Sequence, residues 1–245
     1  MVMQNTLEAI EQLKTASTLV DVKEFLSRLL EIIEYDYFLI GLILPQSITR
    51  SDVLILDNYP QSWRQYYDDT KLVKMDPIVR YSMNNYLPII WAHLEKDKRY
   101  SKQELLVIKK AHEAGLQSGF SIPFHNNFGE FGMISFALKS QQSDSVSKFN
   151  RALPFVQLIV PALQDALKRI DSRTSISNTT LTKRETECLT WAAEGKSSWE
   201  ISKILGCSER TVLFHLQNAG SKLNANNRYQ TISKAIISGA LSLSI

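Results

Sequence analysis

Two groups of side chains in this chain of 245 residues have types and spacings suited to recognition chemistry. The first is Asn58-Tyr59-Pro60-x-x-Trp63-x-x-x-Tyr67, followed by Asp76-Pro77 and Trp91. Here aromatic residues with polar tips surround a single carboxylate. Tyr59, Trp63 and Tyr67 are four apart, so on a helix they share one face. That face offers two hydroxyls, one indole N–H and broad apolar surface. It suits a small amphiphile with a few carbonyls and one N–H donor. Asp76, when ionised, can only accept, and is the natural partner of that donor. Two plainer readings stand beside this one. An aromatic stripe at helical spacing also builds ordinary core, and Asp-Pro is also the cap and first residue of a helix over 77–83.

The second group is Arg210, Leu213, Phe214 and Gln217, at i, i+3, i+4 and i+7. On a helix these share a face that combines a guanidinium, an amide and apolar surface. Arginine fits a guanine edge, glutamine can bond adenine, and apolar groups pack on a thymine methyl. Val212, Leu216, Ala219 and Leu223 form a separate apolar stripe that would face the helices behind.

The elements that must carry this second group are written in local chemistry. Thr182-Lys183-Arg184-Glu185 and Ser197-Ser198-Trp199-Glu200 are capping boxes. Ser208 is a third helix cap, with Glu209 adding negative charge at the helix start, and Asn227 opens a fourth helix. Gly195 and Gly206 fall where left-handed stop residues belong. Helix, loop, short helix, tight turn, longer helix is a helix-turn-helix pattern.

The elements that must carry the first group mix helix and strand. Leu19 to Glu34 is amphipathic, with Val22, Phe25, Leu26, Leu29, Leu30 and Ile33 on one face. Tyr37 to Leu44 and Val53 to Leu56 read as strands. Tyr100 to Ala114 reads as a helix offering Leu105, Leu106, Ile108 and Ala111 to the core, stopped by Gly115. Phe120 to Phe124 and Phe131 to Leu138 read as strands joined through Asn126-Asn127-Phe128-Gly129, which has hairpin chemistry. Phe149 to Ile170 reads as a closing helix in which Pro154 and Pro161 mark the first turn or a kink. The expected fold is α+β: an N-terminal α/β/α sandwich with a mainly antiparallel sheet, then an all-α four-helix domain. The polar stretch 171–180 is the expected linker between domains 1–170 and 181–245.

Composition narrows the function. No apolar run approaches the roughly eighteen residues of a membrane helix, and Met1 to Lys14 has no basic n-region of a secretory signal. Cys188 and Cys207 are too few for a disulfide framework and lack companion ligands for zinc. The net charge is +3, and residues 176–245 hold eight Lys or Arg against five Glu, so the whole excess lies there. Phosphate attraction accounts for that placement. There is no Gly-rich phosphate loop, metal-spaced His or Cys set, or nucleophile motif, so neither an enzyme nor a cofactor or metal is expected.

The run Leu181-Thr182-x-Arg184-Glu185-x-Glu187-x-Leu189-x-Trp191-x-Ala193-x-Gly195-Lys196 resembles the opening of a LuxR-type helix-turn-helix domain. Ser208-x-Arg210-Thr211-Val212-x-Phe214-His215 and Lys222-Leu223 continue it. The spacing Tyr59, Trp63, Tyr67, Asp76, Trp91, Gly119, Ser135 is similar to the acyl-homoserine-lactone-binding domain of LuxR-type quorum-sensing regulators. The resemblance covers nearly the whole chain. It implies that Trp63 donates to the lactone carbonyl, Asp76 accepts from the ligand amide, and Tyr59 donates to the amide carbonyl with help from Ser135. Tyr67 and Trp91 wall the site, and Gly119 meets a backbone requirement. In the C-terminal domain it implies DNA contact by Ser208, Arg210, Thr211, Leu213, Phe214, Gln217 and Lys222. The expected protein is a cytoplasmic, ligand-controlled transcriptional regulator that binds double-stranded DNA as a homodimer, without a membrane. A phosphorylation-switched regulator is disfavoured, because the first strand ends Ile43-Leu44-Pro45 without an acidic pair. A regulator of the same fold that reads another small molecule, or none, is the remaining alternative.

Overall fold

A computed structural model describes residues 2–125, 131–140, 145–170 and 181–241. The N-terminal unit contains helices α1 (Val2–Thr15) and α2 (Leu19–Ile33), strands β1 (Tyr37–Ser47) and β2 (Arg50–Asp57), and α3 (Gln61–Asp69). A single 3-10 turn (Leu72–Lys74) leads to α4 (Pro77–Asn84), β3 (Ile89–Ile90), α5 (Trp91–Glu95) and α6 (Lys102–Glu113). Strands β4 (Ser118–His125) and β5 (Phe131–Leu138) precede the long α7 (Ser145–Ile170). The C-terminal unit is α8 (Lys183–Ala193), α9 (Ser198–Leu205), α10 (Glu209–Lys222) and α11 (Arg228–Ile237).

The five strands form one sheet in the order β2-β1-β5-β4-β3, and the pairs β1–β5, β5–β4 and β4–β3 are antiparallel. Period-two alternation divides its residues between two interiors. Phe38, Ile40, Phe120, Ile122, Ile134 and Phe136 face α1, α2 and α7 and make the larger core. On the opposite face Ala137 packs with Trp63 of α3, Leu72, Trp91 of α5 and Val107 of α6. The sheet therefore lies between two helical layers, as the mixed strand and helix patterns imply.

Helix α2 buries all six residues of its expected face, and its cap Thr18 forms a box with Asp21. Gly115, at φ +94°, ends the α6 segment in the backbone conformation that favours glycine. Several expectations need correction. Helix α7 starts at Ser145 and not Phe149, so Pro154 and Pro161 both lie inside it. Both prolines are on its exposed side, where water can satisfy the carbonyls they leave without donors. Strand β1 runs through Pro45 to Ser47. In α6 the buried residues are Val107 and Ile108, while Leu106 is half exposed. Helix α1 carries no strong start or stop signal and was not anticipated. The hairpin turn and the linker 171–180 lie outside the described residues.

In the C-terminal unit the three expected boxes and caps form as written. Thr182 accepts from Glu185 N, Ser197 from Glu200 N, and Ser208 from Thr211 N. Gly206 closes α9 in the left-handed region, φ 64°. At the fourth start Asn227 caps Gln230 N, but the Gln230 amide oxygen reaches back to Asn226 N, not to Asn227 N. Leu189, Val212, Ala219, Leu223 and Ala235 form the core of these helices.

Candidate ligand pocket and DNA-reading face

A cavity of about 110 Å³ lies against the second face of the sheet, walled by α3 to α6. Tyr59, Trp63, Tyr67, Asp76, Trp91 and Ser135 all line it, so the structure brings the whole first group together. The rest of the wall is mainly aliphatic, including Leu39, Ile43, Val53, Ile55 and Val79.

The expected helical stripe is only partly helical. Trp63 and Tyr67 sit one turn apart on α3, with ring centroids 5.7 Å apart. Tyr59 lies before the Pro60 cap and reaches the cavity from the loop. Two side chains hold that loop. Asn58 accepts from Phe38 N at 2.7 Å and donates to Asp36 O at 3.2 Å, tying the segment to β1. Asp57 accepts from Tyr59 N at 3.0 Å and pairs with Arg64 at 3.3 Å. Burial holds the Asp57 carboxyl above the usual range, against the pull of Arg64.

Asp76 serves both of its possible roles at once. One oxygen accepts from Ile78 N at 2.8 Å and caps α4; the other accepts from the Tyr67 hydroxyl at 2.8 Å. Burial raises its pKa, opposed by Tyr67 and by the backbone N–H groups of Ile78 and Val79. Burial, reinforced by the charge of Asp76, also pushes the Tyr67 hydroxyl far up, and the Tyr59 hydroxyl is raised by burial first. Both phenols therefore remain protonated donors. Among the described residues, neither the Trp63 indole N–H nor the Tyr59 hydroxyl has a hydrogen-bond partner.

Trp91 is fixed from two sides. Its indole N–H donates to Ser121 Oγ at 2.9 Å, and Ser121 lies 2.7 Å from Ser135 Oγ. A Cβ on Gly119 would stand 2.9 Å from the Trp91 ring and 2.4 Å from Phe136 O. The requirement expected at Gly119 is thus close approach, not a left-handed backbone. Sequence reasoning missed Ser121 and Arg64. Ser121 shares the Gly119 face of β4 by alternation, which is a signal that was available. Arg64, whose guanidinium lies 5.5 Å from the Tyr67 ring centroid, looks like any surface arginine in sequence.

The face expected to read DNA lies on α10. Arg210 and Gln217 are exposed, and Leu213 and Phe214 are 53% and 58% exposed. Two large apolar side chains thus stand in water on the same face as a guanidinium and an amide. Ser208 and Thr211 stand at its start, their hydroxyls 2.8 Å apart. Lys222 has a role that the sequence did not show: its ammonium donates to buried Glu185 at 2.8 Å. Burial alone would raise Glu185, but Lys222 and the Thr182 cap outweigh it and hold the carboxyl below its ordinary value. Lys222 thereby fastens α10 to the start of α8.

Among the described residues no group of His, Cys, Asp and Glu could hold a metal ion, and no helix is long and apolar enough to cross a membrane. The chain matches the autoinducer binding domain over residues 18–167 and the luxR family of bacterial regulatory proteins over 179–235. The chain belongs to the LuxR family of ligand-controlled transcriptional regulators. It is 48% identical to the transcriptional activator LuxR of Aliivibrio fischeri, covering 97% of this chain and 94% of that protein. It is 42% identical to the activator VanR of Vibrio anguillarum, over 97% and 98% of the two chains. The crystal structure of Escherichia coli SdiA superposes with a TM-score of 0.82 at 27% identity, over 97% of this chain and 98% of that one. Its relatives are regulators of transcription and not enzymes.

Proposed function

We propose that the cavity takes an acyl-homoserine lactone and that its burial licenses the C-terminal domain to act as a dimer on a two-fold symmetric operator. The observation that carries this reading is the polar inventory of an otherwise aliphatic cavity. It holds one carboxylate acceptor, Asp76, and two donors without protein partners, Trp63 and Tyr59. A lactone with an amide offers the complement: two carbonyls and one N–H. Trp63 donates to the ring carbonyl, Tyr59 to the amide carbonyl, and Asp76 accepts from the amide N–H. Ser135 helps Tyr59 at the amide carbonyl, and Tyr67 and Trp91 wall the ring and acyl chain. Residues 1–170 form the sensor, 171–180 the linker and 181–245 the DNA-binding domain of a cytoplasmic protein.

Thermal melts of wild type and Trp63→Phe, with and without a panel of lactones, test the pocket. A cognate lactone raises the wild-type midpoint. Trp63→Phe keeps the aromatic bulk but leaves the ring carbonyl buried and unpaired at about 1–3 kcal/mol, so its ligand shift shrinks. A second reading has its own support, since an SdiA structure is a complex with octanoyl-rac-glycerol. An acylglycerol lacks the amide N–H, so the panel includes it. If it shifts the midpoint and no lactone does, Asp76 serves only α4 and Tyr67.

On the DNA side, Arg210→Ala or Gln217→Ala costs about 1–3 kcal/mol if the contact is to a base edge, and relaxes preference at one position. The operator half-sites are centred about one helical turn apart, near 10 bp. Site selection that returns no symmetric motif would count against this reading.

A further inference from the structure

A second cavity, also of about 110 Å³, lies in the sensor beside Trp91, whose ring belongs to the walls of both. It sits where the C-terminal ends of α5 and α6 meet the start of β4, with Tyr35, Trp91 and Phe149 as aromatic walls. Its polar groups run from mouth to interior. Glu95 is the last residue of α5, and its side chain is 42% exposed, so it stands at the mouth. His112 Nε2 is 3.6 Å from Glu95 Oε1, beyond hydrogen-bond reach, and the carboxylate keeps its capacity to accept. Gln117 donates an amide N–H to His112 O at 2.5 Å. A carbonyl can only accept, so the amide oxygen of Gln117 turns elsewhere and is a second acceptor. At the inner end the Ser118 hydroxyl oxygen is buried and, among the described residues, has no hydrogen-bond partner. Such a group is costly to leave unpaired and calls for an explanation. The surroundings favour positive charge at the mouth. Helix α6 ends here with its free carbonyls, and a cation gains further from aromatic rings.

We propose that this cavity is a second ligand site of the sensor and takes a short amino alcohol in its protonated form. The ammonium group lies among the aromatic rings and donates to Glu95 and to the Gln117 amide oxygen. The hydroxyl bonds Ser118 at the inner end. One small molecule thereby meets both acceptors at the mouth and supplies the oxygen that the buried hydroxyl lacks. The site does not depend on what fills the first cavity.

The test uses full-length protein and three probes at matched pH and ionic strength. These are 2-aminoethanol, ethylammonium, which lacks the hydroxyl, and 1,2-ethanediol, which lacks the charge. Their affinities are measured by ligand-observed NMR titration for wild type, Ser118→Ala and Glu95→Gln. All three probes meet the same protein, so a general loss of stability cancels from the affinity ratios. Wild type prefers 2-aminoethanol to each of the others by about tenfold, the value of one well-made hydrogen bond in a partly buried site. Ser118→Ala brings the ratio over ethylammonium to about one and keeps the preference over the diol. Glu95→Gln does the reverse. Neither change threatens the fold, since the first deletes an unpaired hydroxyl and the second alters a side chain at the surface. A wild type without these preferences overturns the proposal and leaves the cavity to water. Wild-type ratios in either variant overturn it as well, because the probe then binds elsewhere on the protein.

Discussion

The sensor and the DNA-binding domain treat buried polar groups in opposite ways. Among the described residues of the C-terminal unit, the buried polar ones all find partners in their own or a neighbouring helix. Glu185 takes Lys222 and Thr182 N, Ser202 donates to Trp199 O at 2.6 Å, and Thr231 donates to Asn227 O at 2.9 Å. In the sensor the hydroxyls of Ser82 and Ser118 are buried without partners, and Trp63 and Tyr59 turn unpaired donors to the cavity. The DNA-binding domain completes its hydrogen bonding internally. The sensor leaves donors open to the cavity, and on the proposed reading a ligand completes them, which makes its stability depend on ligand concentration.

The largest expected effect sharpens that contrast. A lactone at a hundredfold excess over its Kd adds about 2.7 kcal/mol to the folded sensor. For a unit of this size the gain is worth roughly 5–10 °C. Hydrogen exchange on the full chain should then show slower opening in α3, α4 and β4, with α8 to α11 unchanged. Equal protection of both regions would break the comparison.

A somewhat smaller effect concerns Asp76. Asparagine keeps most of the cap but loses the charge that strengthens acceptance from an amide, a loss of about 2 kcal/mol in ligand binding. The pH dependence follows from linkage. Burial raises the Asp76 pKa in the free protein, so its ionised form costs stability at neutral pH, and that cost is relieved as pH falls through the raised value. In the proposed binding mode the ligand amide donates to the ionised form. Lactone affinity is therefore full near neutrality and declines on acidification before ordinary carboxylates titrate, while Asp76→Asn shows a flat profile. A calorimetric titration series across the acidic range checks both. Parallel profiles in the two proteins would reduce Asp76 to a cap.

The smallest effect tests the other side. Thr182→Ala removes one cap and costs about 1 kcal/mol. It should lower protection in α8 and leave lactone affinity alone. A change in lactone affinity would show that the two regions are not independent.

The same contrast explains what could be read in advance. Caps and stops are local, so Thr182, Ser197, Gly206 and Ser208 declare themselves within four residues of sequence. The sensor helices and strands were legible where periodicity was strong, as in α2. Composition left the pocket standing beside plain core and a helix cap, the resemblance to the lactone-binding domain pointed to it, and its geometry is set by distant partners. That Tyr59 stands off α3, that Asp76 serves a cap and Tyr67 together, and that Ser121 ties Trp91 to Ser135 are consequences of cross-strand register and loop anchoring. The pairing of Lys222 with Glu185 was not legible for the same reason, because Glu185 lies 37 positions away.

That pairing has a consequence for ion release. A lysine that neutralises a DNA phosphate frees condensed counterions, and each such contact steepens the salt dependence of binding by roughly 0.9 in log–log slope. Lys222 already spends its charge on a carboxylate that is 3% exposed. The expected consequence is that it brings no counterion release with it, so that a tally of the eight basic residues in 176–245 overstates the slope by about one unit. Substituting Lys222 would weaken the fold that holds α10 in place, yet leave the salt dependence of whatever binding survives as steep as before.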